Sequence, residues 1–143
     1  PNGNGVRMTN EVAPSPAHYG AAVRTTLRYA IVMVVVGILA GISFQESVKK
    51  LDLESVGAGL HIEARIHLAL VHGHIFATAV LLPIALLAML YFARHVGGRP
   101  LTVRGVRWLT WGFLPGVAAT VALMLYKGYH FLLHVRSGVT GLA

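Results

Sequence analysis

The chain has 143 residues and a formal charge of +7; 55 % of the residues are hydrophobic and only 12 % are Asp, Glu, Lys or Arg. Soluble domains carry about 25 % charged residues, and here the deficit is concentrated in three long stretches nearly free of charge, which places the chain among integral membrane proteins. Cysteine is absent, which excludes disulfides, thiolate-held zinc, iron–sulfur clusters held by this chain and covalent c-type haem. The basic residues sit at the ends of the apolar runs, where topology selection puts them, so no nucleic-acid partner is expected.

Residues 1–24 are rich in Gly, Asn, Pro and small polar residues and read as a flexible N-terminal tail. Residues 25–143 read as a single transmembrane helical domain. Met8-Thr9-Asn10 looks like an ordinary start, so residues 1–7 are expected to be an upstream extension or a cloning remnant. No convincing small-residue cleavage site follows the first apolar run.

The first span is expected at about 27–46, the roughly 20 residues needed to cross about 30 Å of hydrocarbon. Gly37 and Gly41 within it are spaced Gly-x-x-x-Gly, which lets a neighbouring helix approach closely and is read as packing. A short connector balances Lys49 and Lys50 against Asp52 and Glu54. The second span is expected at about 64–93, with Pro83 kinking it. Arg94, Arg99, Arg104 and Arg107 make the next connector basic, and Gly97-Gly98-Arg99-Pro100 within it reads as a turn and not a phosphate cradle.

The third span is expected at about 106–134, with a second kink at Pro115. Trp108 and Trp111 stand at its start and Tyr126, Tyr129 and Phe131 near its end, the levels of aromatic belts. The excess of Arg in the leading segment and the second connector puts the N-terminus in the cytoplasm and the first connector outside. The fold class is therefore all-α, a polytopic transmembrane bundle with three visible spans. Ser137-Gly138-Val139-Thr140-Gly141-Leu142-Ala143 reads as the approach to a missing fourth.

The residues that carry chemistry are histidines. The run Glu63-Ala64-Arg65-Ile66-His67-Leu68-Ala69-Leu70-Val71-His72-Gly73-His74 opens the second span, and His130 and His134 close the third. Imidazole is costly in hydrocarbon unless it is partnered. At about 100° per residue, His67 and His74 share a helix face, with Glu63 near it, while His72 points about 140° away from His67. His130 and His134 are i, i+4 neighbours, a spacing that lets two imidazoles approach one ion. Counting about 1.5 Å per residue puts all five histidines near one level of the outer leaflet, joined by Glu46 from the end of the first span.

Two ligands fit such a layer. Haem b would take one His from each of two facing helices. A copper or zinc ion would take three or four of His67, His72, His74, His130 and His134, with Glu46 or Glu63; imidazole suits copper, zinc and iron alike. The alternative is an interfacial polar layer with no cofactor, its imidazoles bonded to carbonyls or to Glu46. Lys127 snorkels to the surface in one reading and pairs with Glu46 or a haem propionate in the other. Met33 and Met124 are read as packing, and His18 and His95 receive no role. No nucleophile–base set or catalytic carboxylate pair is visible, so a stand-alone enzyme is not expected.

Tyr29-Ala30, Gly37, Gly41-Ile42-Ser43-Phe44-Gln45-Glu46, Val71-His72-Gly73-His74-Ile75-Phe76, Gly116, Thr120, Met124 and Lys127-Gly128 resemble a family of short bacterial four-helix integral membrane proteins of unassigned function. The resemblance implies that His72, His74 and Lys127 match the family pattern, that Gln45-Glu46 departs from it, and that Ser137-Gly138 and Gly141-Leu142 open a fourth helix. It places the chain in the bacterial inner membrane. A looser likeness links the His-Gly helix to haem-ligating helices of haem–copper oxidase subunit I. The expected function is a small membrane subunit binding haem b or a transition metal within a redox or respiratory complex, with other membrane subunits as partners. The alternative is a structural accessory subunit.

Overall fold

The computed structural model describes residues 16–50 and 58–137, without the side chains of 58, 60, 61, 64, 67 and 68. The described residues are almost wholly helical and include no strand. Helix α1 is Ala17–Val48. The second rod is continuous: α2 (Ala58–His74), a π-helical stretch Ile75–Leu81, then α3 (Leu82–His95). The third rod repeats the plan with α4 (Val103–Trp108), a π-helical stretch Leu109–Phe113 and α5 (Leu114–Arg136). Three stretches, Ala17–Val48, Ala69–His95 and Val103–Arg136, are long and apolar enough to cross a bilayer, so the chain is built as a multi-pass membrane protein. The segments expected beyond Ser137 and in residues 1–15 lie outside the described residues.

One local expectation changes. Residues 17–24, assigned to the tail from composition, are helical: α1 begins at Ala17 and buries Tyr19 to 2 % exposure. Tyr19 is held there because its hydroxyl accepts the Leu101 N–H at 2.8 Å. The adjacent His18 Nε2 donates to the Leu101 carbonyl at 3.0 Å, so two neighbouring side chains of α1 satisfy both backbone groups of one connector residue. His18 therefore has a structural role that its position in a supposed tail concealed.

The disturbance expected at each proline takes the form of a π-helical stretch. A proline inside an α-helix lacks its N–H and presses its ring on the carbonyl four residues back, here Ala79 for Pro83 and Trp111 for Pro115. Both carbonyls lie in the π-helical stretches, which widen the turn just before each proline. Leu82 N–H accordingly reaches back five residues, to the Ala77 carbonyl. A threonine hydroxyl serves the carbonyl at each α-to-π transition: Thr78 Oγ1 donates to His74 O at 2.7 Å and Thr110 Oγ1 to Val106 O at 2.9 Å. In lipid no water is available for those carbonyls, so the hydroxyls take that part.

The second rod is the middle one. Buried residues make up 28 % of its most apolar window, against 11 % for each of the others, and the first and third rods meet each other only sparsely. Packing falls into three layers along the bundle. Tyr19, Ala22, Leu87 and Val106 close the Arg-rich end; Val71, Ile75, Ala79 and Val121 fill the middle; Leu132 and Val135 pack with Phe44 and Tyr129 at the other end. Ile75 and Ala79 are completely enclosed. Large apolar side chains such as Ile31, Val35, Leu39, Ile42, Met89 and Leu123 point outward, as a lipid-facing surface requires.

The connector after α3 is a turn, as its sequence suggests. Gly97 has φ +83°, a left-handed position that glycine adopts without strain. Gly98 passes so close to the preceding turn that a Cβ there would lie 2.5 Å from the Ala93 carbonyl oxygen. Thr102 then caps α4, its Oγ1 accepting from Gly105 N–H at 3.2 Å.

Candidate functional site

The glycines of α1 set the position of His72. A Cβ on Gly41 would lie 2.9 Å from Cε1 and Nδ1 of the His72 ring, and one on Gly37 would lie 3.0 Å from Phe76 and 3.2 Å from Ile75. The imidazole therefore lies flush on α1, in the space that two missing side chains leave. Its Nδ1 donates to the Gly37 carbonyl at 2.9 Å, and Phe76 stacks edge-on with ring centroids 5.0 Å apart. A carbonyl only accepts, so Nδ1 carries the proton and Nε2 keeps the lone pair of the neutral ring. Beside the ring runs an open groove of about 530 Å³ lined by Ile38, Phe44, Gln45, Glu46, Ala69 and His72.

The other candidates divide into a pair and isolated groups. His130 and His134 face each other on α5 with their Nε2 atoms 3.3 Å apart and ring centroids 4.3 Å apart. His130 is exposed and His134 half-buried, and Tyr126 lies over His130 with a centroid separation of 5.6 Å. His74 is exposed, and its Nδ1 donates to Leu70 O within its own helix at 2.7 Å. Glu46 forms an exposed ion pair with Lys49 at 2.6 Å, in place of the alternative pairing with Lys127, which is itself exposed. The His67 side chain lies outside the described residues.

The single histidine level is a further correction. The His72 ring sits between Gly37 and Gly41 of α1, whereas Tyr129, next to His130, bonds through its hydroxyl to Ser43 Oγ at 2.7 Å. At about 1.5 Å per residue the two contacts are separated by roughly 6 Å along α1. His130 and His134 thus lie nearer the end of the bundle than His72. The register is set by the glycine pair, which draws His72 inward, and a depth count from span ends has no access to that contact. Among the described residues, no three of His, Cys, Asp and Glu converge to surround an ion.

Two polar groups escaped the sequence reading. The Tyr29 hydroxyl is enclosed with no hydrogen-bond partner among the described residues, and Tyr129–Ser43 is a polar clamp between the first and third rods. Neither leaves a signal in a single sequence, because tyrosine and serine are ordinary residues in a span and their partners lie a helix away.

No family model, no curated protein and no solved structure matches the chain.

Proposed function

We propose that the protein is a small membrane subunit that holds a transition-metal ion, copper or zinc, through His130 and His134. The observation that carries this reading is the 3.3 Å between their Nε2 atoms. Two imidazoles bound to one tetrahedral ion at about 2.0–2.1 Å place their nitrogens roughly 3.3–3.4 Å apart. The two nitrogens are thus spaced for that ion, and a splaying of the rings from their 4.3 Å centroid separation would aim both lone pairs at it; His130 is exposed and His134 half-buried. Two ligands do not complete a site; the remaining positions belong to water or to a neighbouring subunit of a membrane complex. The Arg-rich connector between the second and third spans supports an outward position for this pair by the positive-inside rule.

An ion is favoured over haem because a bis-histidine haem needs imidazoles on two facing helices. The described histidines that approach each other share one helix, and the His72 ring is pressed against α1. The tight seat and carbonyl bond of His72 favour a structural role for that residue, the part given to all the histidines in the accessory-subunit reading.

Titration of the purified protein in detergent with Zn²⁺ and with Cu²⁺, read by calorimetry and by metal content after dialysis, tests the proposal. The wild type is expected to retain one equivalent, and His130→Ala and His134→Ala each to lose it while His74→Ala retains it. Equal binding by the wild type and the His130→Ala/His134→Ala protein contradicts it.

A further inference from the structure

At the opposite end of the bundle from His130 and His134, the first and third rods part and leave a cleft. Its outer section, about 230 Å³, is polar in part, with His18, Thr25, Arg107 and Thr110 among its walls. Its inner section, about 300 Å³, is lined by Tyr29, Leu114, Pro115 and Ala118 and has almost no polar surface. Thr25, Thr110 and Trp111 line both sections, so the two adjoin, one polar in part and the other apolar. Ala118 is the small residue of the inner wall.

Among the described residues no carboxylate pairs with Arg104 or Arg107 at the mouth. Arg104 and Arg107 are exposed, and together with Trp108 and Trp111 they frame a further hollow of about 360 Å³ directly beside the cleft. Trp108 and Trp111 are 78 % and 72 % exposed, at the position where indoles settle among lipid headgroups. The chain contains no Asp or Glu after Glu63, so neither the second connector nor the third rod supplies a carboxylate to these arginines. Guanidinium groups recognise phosphate through paired N–H donors.

We propose that this cleft binds one anionic phospholipid, with its headgroup phosphate at Arg107 and Arg104 and one acyl chain in the slot between Tyr29 and Pro115. The order of the walls matches the order of the lipid: phosphate at the basic rim, glycerol at the threonines, hydrocarbon below. A free phosphate would use only the rim. A lipid uses the whole depth, and the apolar inner section is the part that distinguishes them.

The two tryptophans make the test direct, because brominated acyl chains quench indole fluorescence at contact. The full chain is placed in discs of phosphatidylcholine, and brominated phosphatidylglycerol or brominated phosphatidylcholine is titrated in at equal charge-independent mole fractions. The wild type is expected to favour phosphatidylglycerol on the order of tenfold, as two basic residues near the surface allow. Arg104→Gln/Arg107→Gln is expected to abolish that preference, and Ala118→Leu to weaken quenching by narrowing the slot, both with unchanged helical circular dichroism. Equal quenching of the wild type by the two lipids overturns the proposal. So does an Ala118→Leu protein that quenches like the wild type, which would leave the phosphate on the rim alone, and so does self-association that shuts lipid out of the cleft.

Discussion

Substituting Gly41 by Ala probes the contact that fixes the register of the bundle. The added methyl carbon would lie 2.9 Å from Cε1 and from Nδ1 of His72, where ordinary contacts begin at 3.4 Å, so the ring or the helix must retreat by at least about 0.5 Å. The ring is not free to do so. It is held on its own helix by the edge-on contact with Phe76 and on α1 by the bond to Gly37 O at 2.9 Å. Overpacking of this kind costs about 1–3 kcal/mol, and losing an interhelical hydrogen bond in a membrane adds about 0.6 kcal/mol. The better helix propensity of Ala returns up to about 1 kcal/mol, leaving a net loss of about 1–3 kcal/mol. Unfolding in mixed micelles with increasing dodecyl sulfate, followed by circular dichroism, reads this directly. Gly116→Ala is the matched control, because its methyl meets nothing within 4 Å, and it is expected to be neutral or stabilising. In the His72→Ala background the cost of Gly41→Ala should largely vanish, since the two substitutions act on one contact. A Gly41→Ala protein as stable as Gly116→Ala would refute this account of the seat.

Tyr29→Phe removes an enclosed hydroxyl that has no partner among the described residues, so it is expected to raise stability by up to about 1 kcal/mol; a loss of stability would reveal a bond to that hydroxyl. Tyr129→Phe breaks the bond to Ser43 and is expected to cost about 0.6 kcal/mol, the average for interhelical hydrogen bonds in membranes. In a double-mutant cycle with Ser43→Ala, additive losses would mean that the two side chains are not coupled.

What a single sequence discloses here is governed by whether the responsible physics is local. The three spans are legible because hydrocarbon demands long uncharged runs. The turn at Gly97-Gly98 is legible because a left-handed φ and a close approach select glycine. The facing of His130 and His134 follows from i, i+4 geometry alone. Packing at Gly37 and Gly41 was readable as a motif, but its partner His72 was not, since sequence does not fix which residue of a second helix meets a given glycine. The same gap lies behind the single histidine level; Glu46 lines the groove beside His72 and pairs with Lys49, three residues along its own helix. The prolines announced a disturbance, and its form, a π-helical stretch backed by Thr78 or Thr110, depends on how neighbouring helices constrain the backbone. Residues 17–24 read as tail because composition reports the Gly and Ala of the segment and not the two bonds that tie His18 and Tyr19 to Leu101.

The central claim is that His130 and His134 share one metal ion. Electron paramagnetic resonance of the protein loaded with one equivalent of Cu²⁺ addresses the ligands themselves, through hyperfine coupling to imidazole nitrogen. The account predicts coupling to two equivalent imidazoles, reduced to one in His130→Ala or His134→Ala and absent when both are replaced. A spectrum with no imidazole coupling, or one unchanged by replacing both histidines, would contradict it.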